Sequence, residues 1–265
     1  MELLREFQIL VNNILYWIIA FISASAFLFF FGLKDVLISG RHYLVPLPSE
    51  TSFSTMMFLR VRLDLLPPGV ELITTNPMSA LVTQISFSLL LGFLVTLPAF
   101  LYEIIKYLNP ALLPREKIVV LFSLIPFVLL FLSGCAFAYT YLIPTTFKIL
   151  YPFATEMGAS PLFSLDEFIQ YVIALLIGVG LMFLLPLYMI LLSFLGIINS
   201  SFWWTKWRYA LLFFLVLSAI MTPDGTGITM LMLFLPLMFL YFAGCFFAGL
   251  LRVKNSNQEK VEFIN

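Results

Sequence analysis

One histidine, two cysteines and a charged fraction of 11% are all that 265 residues offer to chemistry that needs ionisable groups. Soluble domains carry about 25% charged residues, so this chain cannot build an ordinary water-facing surface. The lone histidine, His42, excludes a histidine cluster, and no His, Cys, Asp or Glu grouping has metal-ligand spacing. A glycine-rich phosphate loop is also missing. Formal net charge is zero, which removes the bulk field that nucleic acid or an acidic ligand would need. Cys135 and Cys245 fall inside apolar runs, where a thiol packs as a small apolar group. What is abundant is apolar: 62% of the residues are hydrophobic and 30 are Phe. An integral membrane protein follows. Its first apolar run continues for a full span without a small-residue cleavage site, which predicts no removable signal.

A bilayer core takes about 20 apolar residues per helix. Runs at about 14–33, 79–108, 118–143, 168–198, 209–221 and 228–251 predict six spans, with a tail at 252–265. Solid runs of Leu, Phe and Ile exclude the alternation of a membrane barrel. With an even number of spans both termini share one side. That side collects Arg5, Lys106, Arg115, Lys117, Lys206, Arg208, Arg252, Lys254 and Lys260, against Lys34, Arg41, Arg60, Arg62 and Lys148 opposite. The excess predicts cytoplasmic termini, with Trp203, Trp204 and Trp207 as an aromatic belt at the inner interface. The expected fold is therefore an all-helical bundle treated as one domain, 1–265, curved and made concave by Pro98, Pro126, Pro144, Pro186 and Pro236. The fifth run is short, and Thr222-Pro223-Asp224-Gly225 turns the chain at once into the sixth. The outer loop before the second span is long, with an amphipathic stretch, Phe53–Leu66, that fits a surface helix.

No catalytic set emerges. No span contains a histidine that could serve a membrane serine protease as base. Proton and ion relays rest on ionisable groups deep in the membrane, whereas Gln84, Glu103, Lys106 and Gln170 lie within about two turns of a span end. The remaining acids sit on the two faces, which points to recognition. The competing reading is a proline-kinked small-solute transporter or channel, which would require a polar path that the spans hardly provide.

Several spaced motifs remain. Leu101-Tyr102-Glu103 is followed by Tyr107, Pro110-Ala111-Leu112 and Glu116-Lys117. Gly134 precedes Ala136-Phe137-Ala138-Tyr139, with Pro144 five residues on. Thr222-Pro223 with Asp224 opens the last hairpin ahead of Pro236, and Gly69 with Leu72-Ile73 precedes the second span. In this order the motifs resemble the TatC family, the multispanning receptor subunit of the twin-arginine protein translocase, over nearly the whole chain.

The resemblance implies export of folded proteins driven by the proton-motive force, with no cofactor and no covalent chemistry. It implies that Glu116 helps bind the twin-arginine motif of a signal peptide, with Pro110, Tyr102, Tyr107 and Lys117 around it. Guanidinium forks and carboxylates pair bidentately, which suits that role. Standing alone, Glu116 could equally pair with Arg115 or Lys117, a contact worth at most about 1 kcal/mol. A second acid falls on Met1-Glu2-Leu3-Leu4-Arg5-Glu6, where either Glu2 or Glu6 could serve beside Arg5. Glu103 matches a polar position of the binding patch, yet it could neutralise Lys106 instead. Implied partners are TatA- and TatB-like single-span proteins, further copies of the chain and the bilayer, with no nucleic acid. The implied location is a prokaryotic plasma membrane, an organelle membrane being the other home of the family. Where the family has a polar residue in span four this chain has Leu184, two residues before Pro186, and the polar position of span six falls on Thr229 or Met230. A partner helix would then dock there by packing, or through a polar residue of its own. The segment Ser49–Leu66 reads as an addition without an assigned purpose.

Overall fold

The computed structural model describes residues 2–38, 41–48, 52–74, 76–108, 114–158, 162–222 and 227–262, but not the side chains of 2–13, 33–46, 108, 114–116, 154 and 251–262. In chain order the first elements are α1 (Glu2–Phe30), β1 (Phe31–Ile38), β2 (Arg41–Pro48), α2 (Phe53–Leu65), β3 (Glu71–Ile73) and α3 (Ser79–Leu108). Then come α4 (Pro114–Phe122), α5 (Leu124–Phe137), a π-helical turn at Ala138–Leu142, α6 (Ile143–Glu156), β4 (Leu162–Ser164) and α7 (Leu165–Phe183). The chain closes with α8 (Leu185–Phe194), α9 (Ser200–Thr205), α10 (Trp207–Met221) and α11 (Ile228–Glu262). Among the described residues four helical stretches are long and apolar enough to cross a bilayer: Ser79–Tyr107, Lys117–Phe153, Leu165–Phe194 and Ile228–Leu250. Ile14–Phe30 and Trp207–Met221 are shorter apolar helices. Leu129, Ile220, Leu235 and Phe239 leave 63% to 74% of their surface uncovered, which only an apolar solvent tolerates on this scale. The chain groups into two compact units, residues 1–113 with 151–174 and residues 114–150 with 175–265.

In the first unit α1 lies along α3. The Trp17 ring stands 4.5 Å from Phe100, and a Cβ added at Gly92 would come within 3.1 Å of the Ser25 backbone. Ser25 donates its hydroxyl to its own helix, at the Phe21 carbonyl, over 2.8 Å. The Ser25 hydroxyl therefore needs no partner from the other helix. The expected first span reaches residue 33, but α1 stops at Phe30. Gly32 is a poor helix former, and from Phe31 onward the backbone pairs antiparallel with residues 41–48, from Phe31 against Pro48 to Ile38 against Arg41. A hairpin thus stands where an irregular loop was expected. Pro46 and Pro48, which cannot donate to a ladder, are tolerated because this two-stranded sheet is all edge.

The amphipathic stretch forms α2 as expected. Ser52 caps it by accepting from the Thr55 amide at 3.3 Å, and Gln84 of α3 donates to the same hydroxyl at 3.0 Å. Phe58 sets its ring 5.9 Å from Phe87 and 6.3 Å from Phe168, while Arg60 and Asp64 pair at 3.5 Å on the exposed side. The Val70 amide then donates to the Pro67 carbonyl at 3.3 Å, with Gly69 at φ +94°. Proline followed by a left-handed glycine is the sequence of a type II turn. The turn delivers β3, which pairs in parallel with β4.

In the second unit the prolines leave visible marks. Pro126 follows a break at Ser123, and Pro186 opens α8 after a break at Leu184, whose amide reaches back only three residues to the Leu181 carbonyl. Each proline removes one donor and crowds the carbonyl four residues back. Ahead of Pro144 the Ile143 amide donates instead to Ala138, five residues back, which defines the π turn. Pro236, like Pro98 in the first unit, lies inside an uninterrupted helix. The inner face of α11 is Leu233, Leu237, Tyr241, Cys245 and Ala248, all buried at helical spacing.

Close backbone approach depends on missing side chains. A Cβ at Gly134 would stand 2.9 Å from the Gly180 Cα and from two Phe183 atoms, whereas one at Gly249 would meet nothing within 4 Å. Gly134→Val should therefore destabilise the protein by about 1–3 kcal/mol, while Gly249→Val stays within about 0.5 kcal/mol of the parent. Denaturant unfolding in detergent, followed by tryptophan emission, separates the two.

Candidate functional site

The acids expected to matter sit at helix ends. α3 carries Tyr102, Glu103, Lys106 and Tyr107 in its last two turns. Leu101 is buried, Tyr102 is half exposed, and Tyr107 is partly covered. Glu103 keeps only 18% of its side chain exposed and accepts from the Lys106 ammonium at 3.3 Å. A carboxylate near a helix C-terminus opposes the helix dipole, so Lys106 one turn later offsets both that repulsion and the burial. The pairing with Lys106 is thus present: Glu103 is an acid on a helix end, held by a half-exposed cation.

Glu116 lies in the first turn of α4, where Pro114 occupies the helix start. Pro fits that position because its missing amide would lack a partner anyway, and an acid in a first turn is favoured by the dipole. Its side chain lies outside the described residues, as do Pro110, Pro223 and Asp224 altogether. Lys117 is exposed. Glu2, Arg5 and Glu6 lie on α1, where the four-residue spacing puts the two acids on one helix face, and their side chains are likewise outside the described set. Of the predicted signal-binding set, Glu103 is the member with a described ion pair, and its partner is Lys106, the residue that the alternative reading gave it.

The residues expected to meet a partner helix are mostly covered by the chain itself. Leu184 and Thr229 are fully buried, and Pro186 is buried with its Cα 2.9 Å from where a Gly244 Cβ would stand. Met230 is the partly exposed member of the set. Among the described residues no three His, Cys, Asp or Glu come close enough to hold a metal ion.

One site escaped the sequence reading. α8, α9, α10 and α11 wall a cavity of about 540 Å³, with Tyr188, Met189, Trp203, Lys206, Phe213 and Tyr241 on its surface. The Trp203 indole donates to the Ser193 hydroxyl at 2.9 Å, and the Tyr241 hydroxyl donates to the Trp203 carbonyl at 2.6 Å. The tryptophan cluster at 203–207 was the available signal, but it reads as a membrane belt until four separate elements are brought together.

A family model described as Sec-independent protein translocase protein (TatC) matches residues 5–236. The Sec-independent protein translocase protein TatC of Cenarchaeum symbiosum (strain A) is 34% identical over 227 residues, covering 85% of this chain and 86% of that one. The protein of the same description from Aquifex aeolicus (strain VF5) is 31% identical, covering 73% of this chain and 80% of its own length. An uncharacterized tatC-like protein of Gracilaria tenuistipitata var. liui is 30% identical over 66% of this chain and 74% of its own length. A crystal structure described as twin arginine translocase receptor TatC superposes with a TM-score of 0.72 at 28% identity, covering 93% of this chain and 99% of that one.

Because the Glu103–Lys106 pair is local and half exposed, Glu103→Gln should change stability by less than about 0.5 kcal/mol. Denaturant unfolding in detergent measures this. A larger loss would mean that the carboxylate is a structural anchor.

Proposed function

This chain belongs to the TatC family, and from that premise we propose that it is the receptor of a twin-arginine translocase. It would span the membrane six times as one proline-kinked, concave domain with both termini in the cytoplasm of a prokaryote. Glu116, with Glu103 and an acid of the α1 start, either Glu2 or Glu6, would receive the paired arginines of a signal peptide. The observation that carries this reading is the ordered motif from Leu101-Tyr102-Glu103 through Pro110 to Glu116-Lys117, set at the end of α3 and the start of α4. An acid in a helix's first turn is favoured by the helix dipole, and a proline two residues ahead fixes the backbone that leads into it.

TatA- and TatB-like single-span helices and further copies of the chain would complete the machine, which the proton-motive force would drive. Met230 and the residues beside it offer such a helix more surface than buried Leu184, Pro186 or Thr229. A small-solute transporter is supported less well by the same coordinates. Among the described residues, the buried hydroxyls of Ser88, Thr96, Thr146 and Thr222 donate to carbonyls four residues back in their own helices. They seal helices; they do not mark a polar path.

Photocrosslinking from position 116 to a twin-arginine signal peptide, against a twin-lysine version, tests the receptor reading. The arginine peptide should crosslink strongly and the lysine peptide weakly. Glu116→Gln should weaken binding of the arginine peptide by roughly tenfold or more, the scale of a lost charge-assisted hydrogen bond. Equal crosslinking of both peptides, unchanged by Glu116→Gln, would exclude the role.

A further inference from the structure

We propose that the cavity walled by α8, α9, α10 and α11 holds an anionic phospholipid, with an acyl chain inside and the phosphate on Lys206. The walls favour an apolar occupant. The polar tips of Trp203 and Tyr241 are already used within the chain, on Ser193 and on the Trp203 carbonyl. Their ring faces, with Met189 and Phe213, remain to line the space.

Among the described residues Lys206 is the one cation on the wall. Its ammonium stands 5.2 Å from the Tyr209 ring centroid and has no carboxylate partner among the described residues. Arg208 holds its guanidinium 5.8 Å from the Trp207 ring. Two cations held on aromatic faces, both without a described acid, leave this edge positive. A basic residue near a bilayer surface attracts anionic headgroups.

Depth agrees with chemistry. Trp203, Trp204 and Trp207 have the composition of a headgroup-level belt. Phe213 lies six residues further along α10, about 9 Å deeper at 1.5 Å per residue. The cavity thus has a cationic, aromatic end and an apolar end, which is the polarity of a lipid molecule.

The test uses the full chain with Trp17, Trp204 and Trp207 each replaced by Phe, leaving Trp203 as the reporter in the cavity wall. It is reconstituted in phosphatidylcholine vesicles containing equal fractions of either brominated phosphatidylglycerol or brominated phosphatidylcholine. Bromine on the acyl chain should quench Trp203 with an apparent affinity several-fold higher for the anionic lipid. Lys206→Gln should abolish that preference while leaving quenching by the neutral lipid intact. Ala210→Phe, which fills the cavity, should reduce quenching by both. Equal quenching by the two lipids in the parent would overturn the proposal. So would loss of the preference on adding inorganic phosphate, which would mark a site for the free ion. Absence of quenching by either lipid would mean that protein covers the cavity, and would overturn it equally.

Discussion

Polar groups in this protein have almost no water to turn to, and that constraint organises the rest. With 62% hydrophobic residues and long apolar helices, each backbone amide and hydroxyl must find its partner inside the chain. Helices satisfy the backbone. Ser25, Ser88, Thr96 and Thr146 satisfy themselves on their own helices. Cys135 shows the same economy between elements: its thiol donates to the Leu176 carbonyl at 3.3 Å, just upstream of the close approach of Gly134 and Gly180. Polar atoms of this kind thereby become cement, and the acids expected to meet a ligand sit near helix ends.

The prolines obey the same constraint at the points where it is hardest to meet. A missing amide inside an apolar helix leaves a carbonyl orphaned. The chain answers by ending one helix and starting another at Ser123 and Leu184, or by widening one turn before Pro144. Pro186 then packs against the bare face of Gly244, so a position weak in hydrogen bonding becomes strong in packing. Leu184 makes the same exchange. Where a polar residue was expected, an apolar one is fully buried and adds to the core of its own unit.

Legibility followed the range of the interactions. α3 was readable to its limits, 79–108, because a thirty-residue apolar run ends at Asn-Pro on each side. α2 was readable from its mixed polarity. The hairpin at 31–48 was not, since Leu33-Lys34-Asp35-Val36-Leu37-Ile38 shows no alternation and the pairing is set by the partner strand. The parallel pairing of β3 with β4 joins residues about ninety positions apart and leaves no local trace. The candidate site divided in the same way. Residue types and their order along the chain could be read, so Glu103 and Glu116 could be singled out as candidates. The cavity could not, because its wall is shared by four elements whose residues look like lipid-facing aromatics one at a time.

In the receptor role proposed for this chain, the acid at the end of α3 would illustrate how so few charges can suffice. Glu103 is 82% covered on its side chain while Lys106 remains half exposed, so the carboxylate has lost much of its hydration but the cation beside it has not. An exposed lysine pair contributes little, because water screens it and two flexible side chains must be ordered. A guanidinium can replace that ammonium with two parallel hydrogen bonds and a weaker hydration shell to shed. The exchange gains most where the acid is already desolvated and its resident partner is weak. An apolar protein with a few acids at its helix ends meets both conditions, and a soluble surface crowded with water and competing lysines meets neither.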